Sequence, residues 1–239
     1  MIEIPPGRFD LHTHDHYAIP PEFLPYPPAD VVRRAAAIGL MGIAITRHNT
    51  VKGWQEAQKE ADRLKLIIIP GIELASFVFP TRTPHIIALF SDMTDISGRL
   101  PVAKAPATVC EWIKDNGGIA IAAHPSSAPG KTSLSYREIR ELRLQLTAIE
   151  VVNLFGLNKT ALELAQELDL GISGGSDAHL LEQVGLAGVA VGGMANSAGD
   201  VIGAIRSKQT LPFVSDNIDR KLVGRHSTSP LLNWLFKRR

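Results

Sequence analysis

The chain has 239 residues, of which 45% are hydrophobic and 21% charged, and its formal net charge is +1. That composition buries a substantial core, so disorder is not the starting assumption, and the balanced charge speaks neither for nor against a nucleic-acid partner. A single cysteine, Cys110, excludes an intramolecular disulfide and a four-thiolate zinc site, and reads as a small buried hydrophobe.

The opening residues Met1-Ile2-Glu3-Ile4-Pro5-Pro6 show no leader pattern. No apolar stretch nears the roughly 18–20 residues that a transmembrane helix needs. The expectation is a cytoplasmic protein with no membrane span. Along the chain, short β-branched runs alternate with longer amphipathic segments, the signal for repeated β-α units and a mainly parallel sheet. A strand is predicted over 9–14, then a proline-dense loop at 20–28 and a helix over 29–38. Strand 42–46, helix 52–64, and a strand at 66–69 running on to Glu73 follow, and then strand 85–90. Next come helix 107–116, strand 118–123, a loop at 128–131, helix 136–146 and strand 149–153. Helix 159–168, strand 171–174, an apolar segment near 188–191 and helix 199–207 complete the pattern. Seven or eight strands with intervening helices favour a β/α barrel over residues 1–215. Residues 216–239 form a basic, amphipathic tail that reads as a helix packed on the barrel, with a membrane-surface or RNA contact, or disorder, as the alternatives.

Metal-type side chains recur where the predicted strands end. The first strand closes on Asp10-Leu11-His12-Thr13-His14, and in an extended strand His12 and His14 share a face. The second ends at His48, the third at Glu73, the fourth carries His85, the fifth ends at His124, and the strand at 171–174 leads to Asp177 and His179. Active sites of β/α barrels lie at the C-terminal ends of the strands, which brings these eight positions together. Six of the chain's eight histidines are in the set; His16 and His226 are not. Alone, each has an ordinary structural reading, a core histidine, a salt-bridge acid or a helix cap. Jointly, six imidazoles and two carboxylates need partners for their lone pairs, and cations supply them most simply. A donor set of imidazole and carboxylate without thiolate suits two to three divalent ions of zinc, manganese or iron, and Glu73 can bridge two of them. Paired ions activate water against an ester, so the expected chemistry is hydrolysis with a metal-bridging hydroxide as nucleophile. Ser176 has no adjacent base left to activate it.

The segments 10–14, 45–50, 70–73, 84–90, 122–125, 149–153 and 174–179 resemble, in order, the motifs of the PHP (polymerase and histidinol phosphatase) family of metal-dependent phosphoesterases. The resemblance implies a distorted (β/α)7 TIM-like barrel of the PHP type with a trinuclear site. It implies His12, His14, Glu73 and Asp177 at one ion, Glu73, His85 and His124 at a second, and His48 with His179 at a third. It further implies a small phosphorylated substrate, a phosphomonoester, a nucleotide or a short RNA. No obligate protein partner is evident.

Two positions depart from the family pattern. Ile19 stands where an acid usually serves the third ion, and Asp15 or His16 are the nearby substitutes. Arg47 stands where an Asp is common beside His48; it is expected to bind substrate phosphate or to form a salt bridge on the rim. Arg82 and Lys131 are further phosphate candidates, and Asp177 and His179 join Arg47 as catalytic candidates. Asn153 is placed to touch substrate or to orient a ligand, and Glu150 reads as the buried partner of a basic group. The competing readings are an amidohydrolase-type C–N hydrolase, which generally carries a lysine on a middle strand where this chain has Glu73, and a non-catalytic metal-binding regulatory module.

Overall fold

The computed structural model describes residues 7–15, 26–93, 96, 100–126, 128, 130–192 and 195–215. The expected C-terminal tail lies outside the described residues. Among the described residues there are eleven strands, arranged in two sheets, and six α-helices. In the first, β1 (Gly7–Thr13) lies between β2 (Gly42–Ile45) and β10 (Ala187–Val191), with β3 (Ile67–Ile68) and β11 (Thr210–Val214) at the edges. In the second, β4 (Gly71–Ala75), β5 (His85–Leu89), β6 (Ile119–Ala122) and β7 (Ala148–Asn153) pair in sequence. β8 (Gly156–Leu157) and β9 (Gly171–Gly174) both pair with β7.

The mixed α/β class holds; the sheets are not closed, so the expected distorted barrel is not confirmed, and the strand pairing is mixed and not mainly parallel. The ladders β4–β5, β5–β6, β1–β10 and β10–β11 are antiparallel, whereas β1–β2, β6–β7 and β7–β9 are parallel. Between β4 and β5 the chain has only residues 76–84 and no helix, too short for the crossover that parallel pairing needs. The strand expected to run from 66 to Glu73 breaks at Ile69-Pro70, where proline offers no N–H to a ladder. Among the described residues, isolated bridges join the sheets, Thr13 with Ala178 and His48 with Glu73. Both bridges lie where ligand-type residues cluster.

The helices follow their sequence signals more closely. α1 (Pro28–Ala37) opens with proline at its first turn, where a missing N–H costs nothing, and buries Val31, Val32 and Ala35. α2 (Trp54–Leu64) and α3 (Pro106–Asp115) follow, and α2 ends on Lys65 in the left-handed region. α4 (Tyr136–Glu141) starts from a Ser135/Glu138 capping box and is shorter than the predicted 136–146. Asn158 and Ser197 cap α5 (Lys159–Glu167) and α6 (Ala198–Arg206).

Period-two alternation sorts the strands between an inner and an outer core. Ile87 and Leu89 of β5 and Ile119 and Ile121 of β6 join Phe9, Leu11, Val189 and the buried face of α6 in the inner cluster. Ile86, Ala88, Ala120 and Ala122 pack outward with Val109, Cys110 and Ile113 of α3. In β4, Ile72 and Leu74 belong to that outer cluster, so Glu73 between them must face inward. Likewise Ile149 and Val151 face outward and Glu150 faces in.

Candidate metal centre

Two inward carboxylates and a ring of imidazoles leave no room for an apolar filling. Glu73 is fully buried, and nitrogens of five histidines stand around its carboxylate. His85 Nδ1 lies at 2.7 Å, His48 Nδ1 at 3.0 Å, His124 Nε2 at 3.1 Å, and His12 Nε2 and His14 Nε2 at 3.4 Å. Asp177 Oδ1 stands 3.0 Å from His14 Nε2 and 3.4 Å from His12 Nε2. The latter two nitrogens are themselves 3.3 Å apart. His179 stacks on His14 with ring centroids at 4.4 Å. All eight positions expected from the sequence therefore come together. Among the described residues, four overlapping groups have ligand atoms within 4.8 Å of one another: His12/His14/Asp177, His12/Glu73/His124, His48/Glu73/His85 and His14/His48/His179.

Outer partners set which nitrogen points inward. Nδ1 of His12 lies 3.2 Å from Glu150 Oε2, and since a carboxylate only accepts, Nδ1 carries a proton and Nε2 is the nitrogen turned toward the cluster. The same Glu150 oxygen accepts the His124 backbone N–H at 2.8 Å. His179 Nδ1 donates to the Asp177 carbonyl at 2.9 Å, which frees Nε2. Asp10 accepts from Ser176 Oγ at 2.6 Å, from the Ser176 and Gly185 amides at 2.8 Å, and from the His12 amide at 3.3 Å. It thus ties the end of β1 to the segment beyond β9. Gln183 Oε1 accepts the amides of His179 and Leu180. His124 and Asp177 have positive φ, +29° and +52°, sharp turns that carry both side chains off their strand directions.

The electrostatics favour a cation. Burial works to raise the Glu73 pKa, but His85, His48 and His12 outweigh it and hold the carboxyl well below its usual range. Burial works to lower His12, yet Asp177, Glu73 and Glu150 hold it well above the ordinary imidazole value. His14 is driven well below by burial and by His179. Acids concentrated in a dry space hold protons on some imidazoles, and a divalent ion replaces those protons directly. The donor set and the inward-turned nitrogens fit divalent metal.

The phosphate candidates are revised. Arg47 is fully buried, and its guanidinium forks onto Asp15, with Nε 2.6 Å from Oδ1 and Nη2 on Oδ2. The salt-bridge alternative prevails, inside the protein and not on the rim, because the segment that follows β2 holds Arg47 against the buried Asp15. Asp15, a proposed substitute for the missing acid, is thereby committed to Arg47; His16 and Ile19 lie outside the described residues. Arg82 grips Glu138 through Nη1 at 2.7 Å and Nη2 at 3.0 Å, and the Ser133 carbonyl at 2.7 Å, so it fastens the loop 76–84 to α4. Lys131 is exposed, in the segment whose backbone receives the amides of Thr83 and His85. Asn153 turns its Oδ1 to the Phe155 amide. Sequence reasoning missed the roles of Asp10 and Gln183. The position of Asp10, two residues before His12 on one strand, was the available signal.

Known proteins share this fold. A profile described as PHP-associated matches residues 156–210. An uncharacterized protein of Methanocaldococcus jannaschii is 30% identical over 176 residues, covering 67% of this chain and 95% of its own length. A two-domain protein of Bacteroides vulgatus containing a predicted PHP-like metal-dependent phosphoesterase superposes with TM-score 0.71 at 19% identity, over 87% of this chain. This chain spans 64% of that protein's length. A proposed metal-dependent phosphoesterase of Bifidobacterium adolescentis gives TM-score 0.62 at 17% identity, over 93% of this chain and 98% of its own. An amidohydrolase of Chromobacterium violaceum with bound sulfate gives 0.61 at 20% identity, over 74% and 89%. Fold and site together define a PHP-like α/β protein. The chain belongs to the PHP family.

Proposed function

We propose that the chain is a metal-dependent phosphoesterase that hydrolyses a phosphomonoester, or the terminal phosphodiester of a nucleotide or short nucleic acid. One observation carries this reading: a single buried carboxylate, Glu73, within 3.4 Å of nitrogens from five histidines, with Asp177 completing the cage. Glu73 would bridge two ions, Asp177 with His12 and His14 would hold one, and His85 and His124 the other. Bound divalent ions supply Lewis-acid polarisation of the phosphoryl group and an activated water. The protein's own part is to fix the ligands through Glu150 and Asp10 and to bind the ester. Lys131, exposed in the segment after His124, is the remaining candidate for a phosphate oxygen. The side chain of His179 is 33% exposed against 0% for His14, so it faces the approach to the cage and is assigned to the leaving group with its bare Nε2.

The family assignment and the phosphoesterase neighbours support ester chemistry. The sulfate-bearing amidohydrolase neighbour supports a second reading, C–N hydrolysis, but β4 here offers Glu73 where a lysine would be expected. A phosphate-release screen over sugar phosphates, nucleotides, nucleoside bisphosphates and short phosphorylated RNA, with manganese and with chelator, tests the proposal. Chelator-sensitive turnover on at least one ester is expected, and its loss in Glu73→Gln. Turnover of amides alone, or of nothing, would refute it.

A further inference from the structure

The loop 76–84 continues the β4–β5 ladder past the cage. Ala75 pairs with His85, the Ser76 amide donates to the Pro84 carbonyl at 2.9 Å, and Val78 and Arg82 exchange backbone hydrogen bonds of 2.8 and 3.0 Å. The hairpin arm so formed extends about 10 Å beyond the Ala75–His85 pair, from the strand ends that carry Glu73 and His85. Both flanks are braced. The Phe77 amide donates to the Lys104 carbonyl and the Thr83 amide to the Lys131 carbonyl, each at 2.7 Å, while Arg82 is fixed to Glu138. Yet Phe79, at the turn of this fastened arm, is 85% exposed. Lys104 and Lys131 are exposed too, and among the described residues neither is in an ion pair. An exposed phenylalanine alone calls for no explanation. One on a braced arm, beside the cage and between two lysines, has the parts of a single-strand platform: a π-face for a base and cations for the backbone. A ring bonded directly to the phosphate, as in an aryl ester, would stay over the cage and fall short of the turn. A nucleobase is set off from the reacting phosphate by a sugar and, along a strand, by further nucleotides.

We infer that the arm 77–83 selects the substrate: Phe79 stacks on a nucleobase of a short single-stranded nucleic acid whose terminal phosphate enters the cage, and Lys104 and Lys131 meet its backbone charge. The inference rests on the phosphoesterase reading above and adds to it the group that is recognised beyond the phosphate, with the residue that recognises it.

The test measures kcat and KM on a short phosphorylated single strand, with phenyl phosphate and a sugar phosphate as controls that carry no base. Stacking is followed separately, through the quenching of a fluorescent purine placed in the same strand. Phe79→Ala should raise KM on the strand by about 5–150-fold and abolish the quenching, with kcat and both controls unchanged. Phe79→Trp should restore KM and quenching, whereas Phe79→Leu, apolar but without a π-face, should not. The double variant Lys104→Ala/Lys131→Ala should reduce the slope of log affinity against log salt by about 1.4, the loss of two phosphate contacts on a single strand. An equal change on all three esters, rescue by leucine, or an unchanged KM on the strand would overturn the inference and leave ester hydrolysis standing. No turnover of any ester, with quenching still dependent on Phe79, would instead overturn the phosphoesterase reading and leave the base platform standing.

Discussion

His12 stands between acids with different duties: Glu73 and Asp177 face its Nε2, where a cation belongs, and Glu150 holds its Nδ1. Removing the charge of that outer partner in Glu150→Gln should weaken metal binding by about 10–100-fold, as loss of such second partners usually does. The circular dichroism spectrum should stay unchanged. Unaltered affinity in a titration with Mn(II) would remove Glu150 from the centre. Because His12, His48 and His124 are all held above the ordinary imidazole pKa by neighbouring acids, metal loading at neutral pH must expel protons. Calorimetry in buffers of differing ionisation enthalpy should show that release, and binding should tighten as pH rises. Cys110 lies at the other extreme: burial pushes its thiol up to about 12, and it is fully enclosed against α3's core partners. A thiol reagent at pH 8 should label it only after denaturation.

At the scale of elements, the site depends on how closely two strands approach. A Cβ on Gly175 would lie 2.3 Å from the His12 backbone nitrogen, which cannot swing aside as a side chain can. Gly175→Ala should cost about 1–3 kcal/mol in denaturant unfolding, with weakened metal binding. A neutral effect would mean the ends of β1 and β9 are less tightly joined than described. The loop 76–84 is anchored by Arg82 on Glu138. Burial acts to raise the Glu138 carboxyl, but Arg82 and the Ser135 cap outweigh it and hold it down to about 2. A depressed acid stabilises the fold fully above its unfolded value near 4.5 and loses that contribution as pH falls toward 2. Glu138→Gln should flatten wild type's stability loss in that window. Helices α1, α2, α3, α5 and α6 were legible because each shows an apolar stripe and a recognisable start. β8 and β11 were not: Gly156–Leu157 is too short to alternate, and Pro212 within Thr210–Val214 argues against a strand unless it lies at an edge, as it does.

Across the whole molecule, the eight ligand positions were legible because strand ends converge whatever the order of the sheet. Arg47 was not legible in that way, since its sequence neighbours place it at the rim while burial against Asp15 depends on a contact 32 residues apart. The two-sheet arrangement was also hidden, because antiparallel β4–β5 pairing depends on the loop 76–84, whose tight turn between Val78 and Arg82 lacks the Asn-Gly or Asp-Gly signal of a short hairpin. Since the ligands come from both sheets, a bound metal should staple them: at a hundredfold excess over Kd it adds about 2.7 kcal/mol. Chelator should lower the melting temperature accordingly, whereas an unchanged melting curve would place any metal outside the fold. The most direct measurement is anomalous X-ray scattering from crystals soaked in Mn(II). At least two peaks are expected within about 2.2 Å of donor atoms, one shared by Glu73 and one reaching Asp177. A cage with no anomalous density at saturating Mn(II), or peaks only at surface carboxylates, would contradict the account.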